Sequence, residues 1–278
     1  MDYIKPVELV RSMVNAGDTK AALPVKDLLI RGFLSGALLG FATSLALTAT
    51  AQTNTPLVGA LVFPAGFVMI VLLGLELVTG SFAITTLAGF AGRKSWAQVI
   101  SNLSWVFLAN LLGSVFYGVL LYATLTNAGS AAPTGIAAAI VKIAEAKTIA
   151  YAAHGWAGMV TVFTKAVLCN WMVCLGVVMA LTSHSTIGKI VGMWLPVVTF
   201  FAQGFEHSVV NMFMIPTGMM LGANVSASDW WLWNQIPVTL GNLVGGGLFT
   251  GLFLYWTYQP AGTTIAASVD AAAEPVRA

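Results

Sequence analysis

Charge is what this sequence has least of. Only 8% of its 278 residues are Asp, Glu, Lys or Arg, against about 25% in ordinary globular chains. That is too little to coat a surface facing water, so a soluble domain is excluded and lipid must cover much of the molecule. Disorder is excluded as well, because 58% of the residues are hydrophobic. Cysteine is nearly absent: Cys169 and Cys174 stand alone in an apolar run. A disulfide framework or a zinc site needs more ligands, so both read as core thiols and no metal is expected. The net charge is +2 and no basic stripe forms, which excludes a nucleic-acid partner. Residues 1–31 mix acids and bases and lack the apolar core of a signal peptide. They are expected to form a cytoplasmic amphipathic helix.

What is present is a series of apolar runs. Charge-free stretches and their polar interruptions predict spans over about 32–51, 57–90, 98–125, 160–182, 190–221 and 236–258, with a transmembrane domain over 32–258 and a polar cytoplasmic tail over 259–278. Residues 126–155 are small, polar and partly helical in pattern. Two spans are too long for one plain crossing. As a single helix 57–90 would measure about 50 Å, against about 30 Å of hydrocarbon. It carries Glu76 near its middle, and 190–221 carries Glu206. Six crossings leave both termini on one side. With that side cytoplasmic, nine basic residues lie inside and three outside (Lys142, Lys147 and Lys165), as the positive-inside rule expects.

The two halves repeat. Gly74-Leu75-Glu76-Leu77 matches Gly204-Phe205-Glu206-His207, Asn110-Leu111-Leu112-Gly113 matches Asn242-Leu243-Val244-Gly245, and Arg31-Gly32-Phe33-Leu34 resembles Lys165-Ala166-Val167-Leu168. Repeats over about 31–125 and 165–258 would hold three crossings each, and an odd number forces opposite orientations. The fold class is therefore all-α, six transmembrane helices in an inverted 3+3 repeat, with the second and fifth helices broken near 74–81 and 203–211. Glycines four apart (Gly32, Gly36 and Gly40, then Gly247 and Gly251) suit close helix packing.

Acids in a membrane span are expensive and need a reason. Glu76 and Glu206 read as loop-structuring groups that cap N–H groups freed at the breaks, with proton carriage as the alternative. Ser81 and Asn211 add hydrogen-bonding groups beside them. His207 stands in the second break, opposite Leu77 in the repeat. An imidazole there can donate to an anion or pass a proton. Half-helices starting near the midplane would aim their positive ends at the same place.

The runs G-F-E-H-S-V-V-N-M-F-M-I-P-T-G-M (204–219), L-C-N-W-M-V-C-L (168–175) and G-L-E-L-V-T-G-S (74–81) resemble the formate/nitrite transporter family, and its formate channels most of all, over about 25–258. The resemblance implies a homo-pentamer of aquaporin-like protomers in a bacterial-type cytoplasmic membrane, each with its own pore. It implies a substrate pathway in which His207 lies close to Thr79 and Asn170. It places apolar constrictions at Phe63, Phe67, Leu77, Val173 and Phe200. A vestibule lysine is also implied; Lys147 has the local context, and His154 and Lys165 compete for the role. Val78 departs from the bulkier aromatic common at its position. The N-terminal segment would close the inner mouth.

The expected activity is a pH-dependent channel for a small monovalent anion, formate first, with a proton as second passenger and no cofactor. Nitrite and hydrosulfide are alternatives of the same class. An aquaporin is disfavoured because no Asn-Pro-Ala occurs, and a membrane-embedded enzyme because no His-Glu-x-x-His or nucleophile-base set is present. A scaffold would explain the glycines but not a repeated break with buried acids.

Overall fold

Helix boundaries in this chain follow proline, glycine and serine. The computed structural model describes residues 2–258; the tail expected over 259–278 lies outside the described residues. Helix α1 (Pro6–Ala21) opens on a proline, whose missing N–H costs nothing at a helix start. Helix α2 (Val25–Thr53) ends at Asn54 in the left-handed region, φ 50°. Helix α3 (Pro56–Leu72) is interrupted by a turn at Phe63, where Pro64 follows. Helices α4 (Val78–Phe90) and α5 (Trp96–Leu125) come next. Ser95 and Gln98 form a capping box at the start of α5.

The second half runs through α6 (Ile136–Ala146), the single turn α7 (Ile149–Ala152), α8 (Gly155–Ala180), α9 (Thr186–Ala202), α10 (Ser208–Met220) and α11 (Ala227–Tyr258). Two stretches of α11, Trp231–Gln235 and Val244–Leu252, are wound as π-helix. Helices α2, α5, α8 and α11 are each long and apolar enough to cross a membrane. Between them lie two broken pairs, α3 with α4 and α9 with α10.

The expected single helix over 1–31 is two pieces. Ala22, Leu23 and Pro24 separate α1 from α2, and the charged residues Lys26, Asp27 and Arg31 belong to the first turns of α2. Helix α1 buries Leu9, Val10, Met13 and Val14 against Leu87, Val178, Leu252 and Tyr255. Gly17 lets it approach the Ile84 carbonyl of α4, where a Cβ would collide.

Glycines set the main helix crossings. A Cβ on Gly36 would strike the Asn110 carbonyl, and one on Gly113 the Phe33 carbonyl, so α2 and α5 touch backbone to backbone. In the other half Gly241 and Gly245 do the same for α11 against the carbonyls of Phe163 and Val167 on α8. Close packing of this kind replaces the hydrophobic drive that lipid cannot supply.

Candidate functional site

The two breaks have one geometry. Gly74 and Gly204 both sit at φ +63°, a conformation that suits glycine. Each ends its helix in a Schellman turn. Leu75 N donates to Ile70 O at 3.0 Å and Phe205 N to Phe200 O at 3.3 Å. The chain then extends through Leu77 (φ −112°, ψ 117°) and His207 (φ −113°, ψ 122°) before helix resumes at Val78 and Ser208. The breaks therefore occupy residues 73–77 and 203–207.

Two asparagines clamp these segments. Asn110 Nδ2 donates to Gly32 O (2.8 Å) and Glu76 O (2.9 Å), and its Oδ1 accepts from Val78 N (2.9 Å). Asn242 Nδ2 donates to Ala166 O (2.8 Å) and Glu206 O (2.9 Å), and its Oδ1 accepts from Ser208 N (2.8 Å). Three partners match three partners, and both asparagines are fully buried. Each amide caps one freed N–H group, Val78 N or Ser208 N, where the sequence had suggested the glutamate side chains.

The glutamates are held from the side. Glu76 takes Lys20 Nζ at 2.8 Å and Ser81 Oγ at 3.5 Å. Glu206 takes Lys147 Nζ at 2.7 Å, Asn211 Nδ2 at 2.8 Å, Tyr151 OH at 2.9 Å and Asn234 Nδ2 at 3.4 Å. The carbonyl of each lysine is itself fixed by an asparagine 2.8 Å away, Asn102 for Lys20 and Asn234 for Lys147. Lys20 lies in the last turn of α1 and Lys147 caps the end of α6, so the correspondence between halves reaches back beyond residue 31 to include α1. Lys147 thus meets Glu206, not the His207 ring. Of its competitors, Lys165 lies over the Tyr151 ring at 5.8 Å, and His154 borders the same surface groove.

His207 and Thr79 come together. His207 Nδ1 accepts from Val210 N at 3.1 Å, which places the ring hydrogen on Nε2. Nε2 lies 3.0 Å from Thr79 Oγ1. Both residues sit at the first turns of α4 and α10, whose N-termini carry positive partial charge. Asn170 joins them from α8: its Nδ2 donates to Thr79 O (3.0 Å) and Asn242 O (2.7 Å), while its Oδ1 is buried without a protein partner. Cys174, one turn on, donates its S–H to Thr79 O at 3.1 Å.

Aromatic and aliphatic groups surround this centre. Phe200 lies nearly parallel to the His207 ring, 19° and 5.7 Å between centroids, and Phe63 meets Phe200 edge-on at 5.8 Å. Phe67 and Leu77 line a cavity of about 250 Å³ that also exposes Lys20 and Lys189. Val173 is fully buried and does not border that cavity; Val177, one turn along, does.

Several of these residues had no role in the sequence reading. Lys20, Asn102 and Asn234 needed the fold to reveal them. Asn110 and Asn242 were visible as repeat markers, but no function attached to the marker. Phe201, stacked on Phe63 at 3.9 Å, follows Phe200 directly.

The comparisons agree on one family. The model for the formate/nitrite transporter family matches residues 7–256. A probable formate transporter of Methanothermobacter thermautotrophicus is 38% identical over 273 residues, spanning 92% of this chain and 97% of the relative. Formate channel FocA of Escherichia coli (strain K12) is 31% identical over 92% of this chain and 94% of its own length. Among solved structures, an FNT family ion channel matches with a TM-score of 0.78 at 30% identity, covering 91% of this chain and 99% of that one. A pentameric formate channel with formate bound matches with a TM-score of 0.69 at 27% identity, covering 85% and 98%.

Proposed function

The chain belongs to the formate/nitrite transporter family and is a membrane protein, and on that premise we propose that it is a pH-dependent channel for formate. The observation that carries this reading is the 3.0 Å contact between His207 Nε2 and Thr79 Oγ1, made where the N-termini of two half-helices meet. An anion arriving there finds a hydrogen-bond donor, two positive helix ends and no nearby carboxylate in contact with the ring. The names of the relatives, a probable formate transporter and a formate channel, favour formate over nitrite and hydrosulfide.

The path runs from the cavity exposing Lys20 and Lys189, past Phe67 and Leu77, to the Thr79–His207 centre and then past Phe200 and Phe63. Basic residues at the mouth raise the local anion concentration. Desolvating an isolated carboxylate costs on the order of tens of kcal/mol before relaxation. The helix ends and the Nε2–H group offset part of that cost. A proton accompanies the anion, so that a neutral acid crosses the second apolar collar. Each broken pair completes one crossing, giving six in an inverted repeat. Both termini are cytoplasmic and five protomers assemble, each with its own pore. The chain performs transport and no covalent chemistry.

Proteoliposome flux of formate, nitrite, acetate and hydrosulfide across a pH series tests the reading. Formate uptake that rises as pH falls is expected for the wild type. His207→Phe should remove that pH dependence, and Thr79→Val should lower flux by removing the hydroxyl that meets Nε2. An unchanged pH profile in His207→Phe rules out the imidazole as the coupling group.

A further inference from the structure

The two halves match at the clamps and differ at one carbonyl. Asn170 and Cys174 both donate to Thr79 O, at 3.0 and 3.1 Å. The residues 134 positions earlier, in the register that pairs Gly32 with Ala166, are Gly36 and Gly40, which carry no donors. The corresponding carbonyl of the second loop, Val209 O, receives no side-chain donor among the described residues. The asymmetry extends to the helix behind. Gly246 faces Cys174 and Asn170 so closely that a Cβ there would lie 2.5 Å from Sγ and 2.6 Å from Nδ2. Ser114, its match 132 positions earlier, keeps a side chain and bonds Gly36 O at 3.2 Å. Gly246 lies in the π-wound stretch of α11, a local distortion common where a helix serves a site.

We propose that Cys174 and Gly246 are positioning residues of the Thr79–His207 centre. Cys174 and Asn170 converge on the Thr79 carbonyl and fix the peptide that presents the Thr79 hydroxyl to the imidazole. Gly246 leaves the room that both side chains need. His207 has its own anchor, the bond from Val210 N to Nδ1. Among the described residues Thr79 has no comparable bond from its own side chain to the backbone; Asn110 holds its neighbour Val78, and the side-chain donors on its own carbonyl come from α8. The proposal rests on reading that centre as the permeation site.

The test compares Cys174→Ser, which keeps a donor, with Cys174→Val, which loses the donor and stays apolar. Formate flux through the reconstituted assembly is measured against concentration and pH. Cys174→Val is expected to raise the half-saturating concentration about fivefold, the size of one lost neutral hydrogen bond, and to move the pH midpoint. Cys174→Ser should stay within about twofold of wild type on the same scale. Gly246→Ala should reproduce the valine phenotype. Wild-type behaviour in Cys174→Val, or equal impairment in the serine and valine variants, overturns the role of Cys174; wild-type behaviour in Gly246→Ala overturns that of Gly246. A second measurement needs no functional variant: the infrared S–H stretch, isolated by difference against Cys174→Ser, should lie at the lowered frequency of a bonded thiol. A free-thiol frequency refutes the proposal. Absence of wild-type formate flux would instead strike the proposed substrate, and the stretch would still decide the thiol's bond.

Discussion

Asn242 shows how much one side chain carries in a membrane interior. It serves Ser208 N, Glu206 O and Ala166 O at once, and no water waits to replace it. Replacing it with leucine would leave those three groups without a partner, each at about 1–3 kcal/mol. Asn242→Leu should therefore lower stability by about 3 kcal/mol or more, as denaturant unfolding in detergent would report. Asn110→Leu should behave alike, since its three partners are equivalent. A small effect for either would mean that the loops hold their shape without the clamp. Only repetition marked both asparagines in advance. An amide in an apolar run has no visible partner until the chain is folded, because every bond it makes is at least 30 residues away.

At the scale of elements, the ion pairs bind each break to a helix that precedes its half. Glu206 accepts from four side chains and Glu76 from two. Removing one partner of a buried pair leaves an uncompensated charge and costs about 3–5 kcal/mol. Lys147→Met should approach that range although Glu206 keeps three donors, and Lys20→Met should cost at least as much, because Glu76 would keep only Ser81 Oγ at 3.5 Å. The double variant Lys147→Met with Glu206→Gln should recover part of the loss, a comparison that thermal unfolding in detergent can make.

Charge-free runs located these elements well but misjudged where they start. Helix α2 begins at Val25 and not near 32, because Lys26, Asp27 and Arg31 are tolerated in its first turns; charge marks the edge of the hydrocarbon and not the edge of a helix. Likewise α8 begins at Gly155, five residues before the expected span. The breaks were legible from length and a central acid. Their conformation was not, because the left-handed turns at Gly74 and Gly204 depend on backbone geometry that composition does not encode. Amides take the place of the expected glutamate caps, and the carboxylates pair with Lys20 and Lys147 instead.

Across the whole molecule, the start of the chain is fastened to its middle. Asp2 accepts from Ser183 Oγ at 2.8 Å, His184 N at 2.8 Å and Ser185 N at 2.7 Å, and Ile4 N donates to Thr182 O at 2.8 Å. The Ser183 hydroxyl and then the Ser185 N–H hold the Asp2 carboxyl below its ordinary value of about 3.8. A lowered carboxyl pKa favours the attached state at pH above the free-chain value, and that contribution is lost as pH falls through the bound value. Hydrogen exchange at the Ile4 amide, taken relative to the free-peptide rate at each pH, should accordingly remain slow at neutral pH and quicken only under acid conditions. In Asp2→Asn it should be fast throughout; slow exchange in that variant would assign the strap to Ile4 and Thr182 alone. Nothing in the first 31 residues suggested this attachment, since its partners lie about 180 positions away.

The matching torsions at Leu77 and His207 have a wider meaning. Around the two breaks the main chain takes the same local course twice, so the backbone there does not tell one loop from the other. What distinguishes their surroundings is written in substituents, an imidazole where the other half has an isobutyl group and a thiol where it has a hydrogen. A difference of this kind is open to rewriting by exchange of side chains between mirror positions, with no new architecture required.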